Sequence, residues 1–263
     1  MTIALIAIAL YLTSAGLLIR TVTREENAAS KLWLWPALAA AVLHGTCHLL
    51  AWRQAGGADL HFFAALSLVG LGMATLTMLF GARRSMAALG VIVFPLAAAS
   101  LFGYASAGHH IADGLDWRLQ LHAWCALLAY ATLAIAALLA IMLWAQERAL
   151  RRREFHEWLR ALPPLKELES LLFGTITVGF VLLTATLLTG MLFVENLFAQ
   201  HLVHKTVLSV LSWLTFGALL LGRWRYGWRG VVAVRWTLVA MALLVLAFFG
   251  SKFVLELLLG RAG

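Results

Sequence analysis

Long apolar runs broken by short polar stretches are the dominant pattern of the chain. Eight runs reach the roughly 20 residues that an α-helix needs to cross a hydrocarbon core about 30 Å thick. They cover approximately 2–20, 32–52, 60–80, 86–106, 119–145, 168–193, 204–221 and 235–258. Leu, Ala and Val follow one another in these runs without period-2 alternation, which excludes an outer-membrane β-barrel. The first run lacks a basic leader and a small-residue cleavage site, so it reads as a retained helix rather than a signal peptide. Pro163-Pro164 open the sixth helix, Pro95 predicts a kink in the fourth, and residues 146 onward read as a helical extension of the fifth.

Composition turns this pattern into a class. The chain is 63% hydrophobic and 12% charged, with mean hydropathy +0.90, whereas a soluble domain is about half apolar and about a quarter charged. A soluble fold is excluded, and eleven Trp and fourteen Phe exclude disorder. The expected fold is all-α: a polytopic bundle of eight transmembrane helices forming a single transmembrane domain, residues 1–263. The net charge of +8 belongs to the loops of such a chain, so the lipid bilayer rather than nucleic acid is the expected partner.

The distribution of that charge sets an orientation. Arg20, Arg24 and Lys31, Arg83 and Arg84, Arg148, Arg151, Arg152, Arg153, Arg160 and Lys166, and Arg223, Arg225, Arg229 and Arg235 lie in alternate loops, fifteen of the 20 basic residues. Cytoplasmic loops retain positive charge, so both termini are expected outside, in the periplasm of a bacterial inner membrane. The 146–167 loop then acts as a topology anchor and headgroup contact.

This topology puts eight of the nine histidines on the outer side: His44, His48, His61, His109, His110, His122, His201 and His204, with His156 alone inside. Ionisable groups within a span are expensive and mark functional sites. His44 and His48, spaced i, i+4, share one face of the second helix, either toward a cofactor or as interhelical hydrogen-bonders. Counting along the helices puts His122, His48 and His204 in a similar outer layer, with His44 deeper. Zinc would need a compact set completed by Cys or carboxylate, and few such groups lie near this layer. Haem needs one or two axial histidines, an apolar slot and cations for its propionates. Arg53, Arg118, Lys205 and Lys252 are the available cations, although Lys252 is also spaced to pair with Glu256. Trp213, inside the seventh span, fits an interfacial aromatic belt least well. His44-Gly-Thr-Cys-His48 lacks the first cysteine of a c-type attachment site, so covalent haem is not indicated. Cys47 and Cys125 lie in apolar runs and are expected as free thiols.

His122-Ala-Trp-Cys-Ala-Leu-Leu-Ala-Tyr130 resembles the histidine-to-tyrosine stretch of the cytochrome c assembly membrane family, which includes the CcsA, CcmC and HemX-like proteins. Leu162-Pro163-Pro164-Leu165-Lys166-Glu167-Leu168-Glu169, then Gly179 to Thr184 and Thr189-Gly190, are similar to its next loop and helix. Lys205-Thr206 with Trp213 and Phe216, and the tail Phe249-Gly250-Ser251-Lys252, continue the likeness over about residues 120–258. The pattern is closest to the HemX-like and YpjD-like inner-membrane branch. Gln200-His201-Leu202-Val203-His204 stands where the synthases carry their W-x-W-D-P run, and Leu221 where they have a further histidine. The resemblance therefore implies haem binding without haem attachment, with His122 as outer ligand and His204 or His201 as its replacement partner. The expected function is non-catalytic: non-covalent haem b held near the outer leaflet by His122 and His204, within reach of His44, His48, Lys205, Arg118, Lys252 and Trp213. It would serve cytochrome c assembly or haem homeostasis alongside other membrane proteins of that biogenesis. The alternative is a transporter or accessory subunit with an outer histidine metal site. A transmembrane quinone oxidoreductase would need bis-histidine sites on both sides, and only His156 lies inside.

Overall fold

The computed structural model describes residues 1–23, 31–57, 59–81, 87–107, 116–153, 163–193, 203–250 and 253. They form α1 (Thr2–Thr23), α2 (Leu34–Ala55), α3 (Phe62–Gly81), α4 (Ala87–Ala107), α5 (Trp117–Arg152), α6 (Leu165–Phe193), α7 (Val203–Tyr226) and α8 (Gly230–Val245), the last continued by a π-helical turn at Leu246–Gly250. Eight segments are long and apolar enough to cross a membrane, and no strand occurs among the described residues. α4 runs unbroken across Pro95. At 36 residues, α5 exceeds what a bilayer requires and carries the basic extension anticipated after residue 146. The eighth helix starts at Gly230, earlier than its apolar run. Gly227 (φ 67°) closes α7 in an αL cap, with Gly227 N–H donating to Arg223 O (3.1 Å), and Trp228 N–H reaches back to Gly222 O (3.3 Å). That tight turn leaves room for the next helix at once.

The chain forms two compact units, Met1–Gly114 with Ala149–Glu167 and Leu115–Arg148 with Leu168–Gly263. In the first unit, α4 lies against α1 and α3, and α2 against the same two helices. Lipid tails are as apolar as leucine, so helices in a bilayer associate through close packing of small residues rather than by hiding large ones. The burial pattern follows that rule. Ala4, Ala7, Ala37, Ala40, Ala64, Ala65, Ala74 and Ala97 are buried, while Leu5, Leu12, Ile19, Leu38, Val42 and Leu49 face outward.

The second unit is tied helix to helix by polar clamps. Trp213 Nε1–H donates to Thr184 Oγ1 (2.8 Å) and its ring stacks on Phe180 at 5.5 Å, joining α7 to α6. Ser212 Oγ donates to Ala240 O (2.8 Å), joining α7 to α8. Tyr130 Oη donates to Leu244 O (2.5 Å), joining α5 to α8 just before the π turn. A Cβ on Gly179 would lie 2.5 Å from Leu133 Cδ2, so glycine permits the close approach of α6 to α5. Where α6 begins and α7 ends, buried Glu169 accepts from Arg223 Nη1 (2.8 Å) and Arg229 Nε (3.2 Å). The Arg223 guanidinium also lies 4.6 Å over Phe173.

Candidate functional site

His122 sits on the second turn of α5, half-buried against α6. Its Nδ1 is 3.1 Å from Thr186 O and 3.2 Å from Thr189 Oγ1. A carbonyl only accepts, and the single Thr189 hydroxyl proton goes to the Ala185 or Thr186 carbonyl (2.8 and 3.0 Å). Both partners therefore accept from His122, which must carry its proton on Nδ1. The lone pair is left on Nε2, and among the described residues nothing hydrogen-bonds that atom. This is the tautomer and the outer-shell carbonyl bond that orient a histidine for ligating a metal. Gly190 closes on the ring: a Cβ there would stand 3.0 Å from His122 Cε1.

Arg118, one helical turn before His122 on the same face of α5, is exposed, 3.9 Å from Asp116 Oδ2 and over the Trp117 ring at 5.7 Å. His204 is exposed on the first turn of α7, followed by half-buried Lys205. Trp213 serves as the α6–α7 clamp already described. His201 and Lys252, with His109, His110 and His156, lie outside the described residues. Cys47 and Cys125 are free thiols, each half-buried.

His44, His48 and His61 gather in the first unit. His44 is fully buried, with Nδ1 3.3 Å from Tyr11 Oη and Nε2 2.8 Å from Ser67 Oγ. The same hydroxyl meets His48 Nε2 at 2.9 Å. His48 stacks on Tyr104 at 4.3 Å, and the other face of this aromatic column leads to His61 (5.9 Å from Tyr104), which is bound to Asp59 Oδ1 through Nδ1 at 2.6 Å. Both nitrogens of His44 are thus engaged by protein groups, and His48 Nε2 as well. Sequence reasoning named the two α2 histidines but not Tyr11, Ser67, Tyr104 or Asp59. The usable signal is that two imidazoles one turn apart need hydrogen-bonding partners, yet sequence does not say which helix supplies them. Among the described residues, no three His, Cys, Asp or Glu side chains are grouped to hold a metal ion.

The α5 histidine and tyrosine, the α6 Thr-Gly pair and the α7 tryptophan fall within a match to the Cytochrome C assembly protein family model over residues 33–259. The chain belongs to this family. Inner membrane protein YpjD of Escherichia coli strain K12 is similar over the full length, 30% identical over 263 residues, covering 97% of this chain and 98% of that one. A 28.8 kDa protein of Azospirillum brasilense is 39% identical over 144 residues, 54% of this chain and 53% of its own. No solved structure matches the chain. With eight helices able to span and a full-length inner-membrane relative, this family member is a multi-pass protein of the bacterial inner membrane.

Proposed function

We propose that the protein binds haem b non-covalently and handles haem for cytochrome c assembly or haem homeostasis, with His122 as the principal axial ligand. The observation that carries this reading is the contact of His122 Nδ1 with two acceptors, Thr186 O and Thr189 Oγ1, from which the ring proton is assigned to Nδ1 and the lone pair to Nε2. Membership of the cytochrome c assembly family supplies the haem-related context. Bound haem would supply an iron centre able to take up and release one electron. This chain's own residues hold and orient it: His122 as ligand, Arg118 as a cation one turn away for a propionate, and exposed His204 as the preferred second ligand. Lys205 and, beyond the described residues, His201 and Lys252 complete the candidate set. The basic loops bearing Arg151, Arg152 and Arg153 are assigned to the cytoplasm and both termini to the periplasm.

The rival reading, a transporter with an outer histidine metal site, needs several ligands at one point, and the described residues offer no such group. His122→Ala tests the proposal. Haem per chain in the purified, folded variant is expected to fall at least tenfold, and His204→Ala to convert a six-coordinate low-spin spectrum to a five-coordinate one. Undiminished haem in folded His122→Ala overturns the assignment. Retention of the low-spin spectrum in His204→Ala, with its loss in His201→Ala, moves the second ligand to His201.

A further inference from the structure

The first unit holds a hydrogen-bonded chain that neither the haem reading nor helix packing requires. Tyr11, His44, Ser67 and His48 come from three helices and meet in sequence: Tyr11 Oη to His44 Nδ1 (3.3 Å), His44 Nε2 to Ser67 Oγ (2.8 Å) and Ser67 Oγ to His48 Nε2 (2.9 Å). A serine hydroxyl has one proton, so Ser67 donates to one imidazole and accepts from the other. The two distances are nearly equal, so neither polarity is built in by geometry. Packing alone would be served by one histidine and one acceptor. Two imidazoles sharing one reversible hydroxyl are the elements of a proton path, the use to which intramembrane histidine chains are put in pumps and transporters.

We propose that His48 and Ser67 form a proton relay that loads the fully buried His44 from the α2–α3 loop end of the unit. In the starting polarity His48 Nε2–H donates to Ser67 Oγ, Ser67 O–H donates to His44 Nε2, and His44 Nδ1–H donates to Tyr11 Oη. A proton bound at His48 Nδ1 makes that ring cationic. His48 Nε2–H then breaks as a Ser67 O–H forms, and the original Ser67 O–H breaks as His44 Nε2–H forms. Each bond formed matches one broken, Ser67 ends with one proton as it began, and the positive charge has moved from His48 to His44. The His44 imidazolium then has an acceptor at each nitrogen, Tyr11 Oη and Ser67 Oγ, which compensates part of the burial of its charge.

Among the described residues, the ionisable groups around the relay are Tyr11 on α1, Cys47 beside the two histidines on α2, Tyr104 on α4, and Asp59 with His61 in the loop before α3; from α3 itself the facing group is the Ser67 hydroxyl. Asp59 is the one carboxylate in this set, at the end from which the proton enters. His44 lies about 16 Å along α2 from Ala55, at about 1.5 Å per residue, so the relay reaches toward the middle of the bilayer.

Exchange of the His44 ring N–H with deuterated solvent tests this, measured by NMR on the full-length protein, labelled with ¹⁵N-histidine and ¹⁵N-tryptophan, in lipid nanodiscs. Trp213 Nε1–H, held by Thr184 in the second unit, is the internal reference. The expected result is exchange at His44 at least tenfold faster than at Trp213, slowed at least tenfold by Ser67→Ala and restored by Ser67→Thr. If Ser67→Ala does not fold, Ser67→Cys, a weaker hydrogen-bonder of similar size, is expected to slow exchange. Exchange at His44 as slow as at Trp213, or unaffected by loss of the Ser67 hydroxyl, overturns the relay. Slowing by Tyr11→Phe would show that protons arrive from the opposite end and overturns the stated direction. Haem content does not enter any of these readouts.

Discussion

Adding one methyl group at Gly190 probes the His122 geometry directly. Its Cβ would stand 3.0 Å from His122 Cε1 and 3.4 Å from Nδ1, against about 3.5–4.0 Å for an unstrained carbon contact. The ring cannot retreat without lengthening the Nδ1 bonds to Thr186 O and Thr189 Oγ1, each worth about 1 kcal/mol net. Overpacking of this kind costs about 1–3 kcal/mol. Opposing it is the helix-propensity gain of glycine to alanine, up to about 1 kcal/mol. Gly174 on the same helix isolates that gain, since a Cβ there meets nothing within 4 Å. Gly174→Ala is therefore expected to be neutral or stabilising in thermal unfolding in detergent. Gly190→Ala should fall below it by about 1–3 kcal/mol, and its haem affinity should drop about 10- to 100-fold if the displaced ring is the ligand. Equal unfolding midpoints and equal haem content in the two variants would refute the argument.

Three other outcomes follow from the interhelical clamps and from the distribution of charge. Glu169→Gln leaves Arg223 facing a neutral amide; because Arg229 is 59% exposed on its side chain and adds little, the loss is set by the Arg223 bond at about 1.5–3 kcal/mol, read as a lowered unfolding midpoint, and an unchanged midpoint contradicts it. Tyr130→Phe removes the donor to Leu244 O and should destabilise by about 0.6–1.7 kcal/mol, the range for interhelical hydrogen bonds in membranes; a variant as stable as the parent would show that the α5–α8 clamp is idle. A reporter active only in the cytoplasm should give signal when fused after Arg153 and none after Gly263, and the reverse pattern would invert the topology.

The helices were legible because a bilayer demands about 20 apolar residues and every such run shows in the sequence. Their ends were less so. The eighth helix begins at Gly230 because a glycine turn with positive φ at Gly227 and Gly230 folds the chain back at once, and basic residues such as Arg235 obscure that start in a hydropathy profile. The candidate site was legible in parts. His122 stood out as an ionisable group in an apolar run, but its tautomer depends on Thr186 and Thr189, more than 60 residues away, whose hydroxyls look like ordinary helix back-bonders. The spacing of His44 and His48 allowed either a cofactor or interhelical hydrogen bonds, with His44 the one expected to face a site; in three dimensions both nitrogens of His44 meet Tyr11 and Ser67. Neither partner is conspicuous in sequence, since one tyrosine and one serine in apolar helices are unremarkable until the helices are side by side. Trp213 likewise turned from an odd member of an aromatic belt into a clamp once Thr184 was opposite it.

The central claim is that the chain holds haem, and an absorption spectrum of the intact protein tests it most directly. Protein purified in mild detergent from haem-replete cells should show a Soret band near one haem per chain in the oxidised state, shifting on dithionite reduction with the sharp visible bands of a six-coordinate haem b. Folded protein that shows no Soret band as isolated, and gains none when haemin is added, would contradict the account.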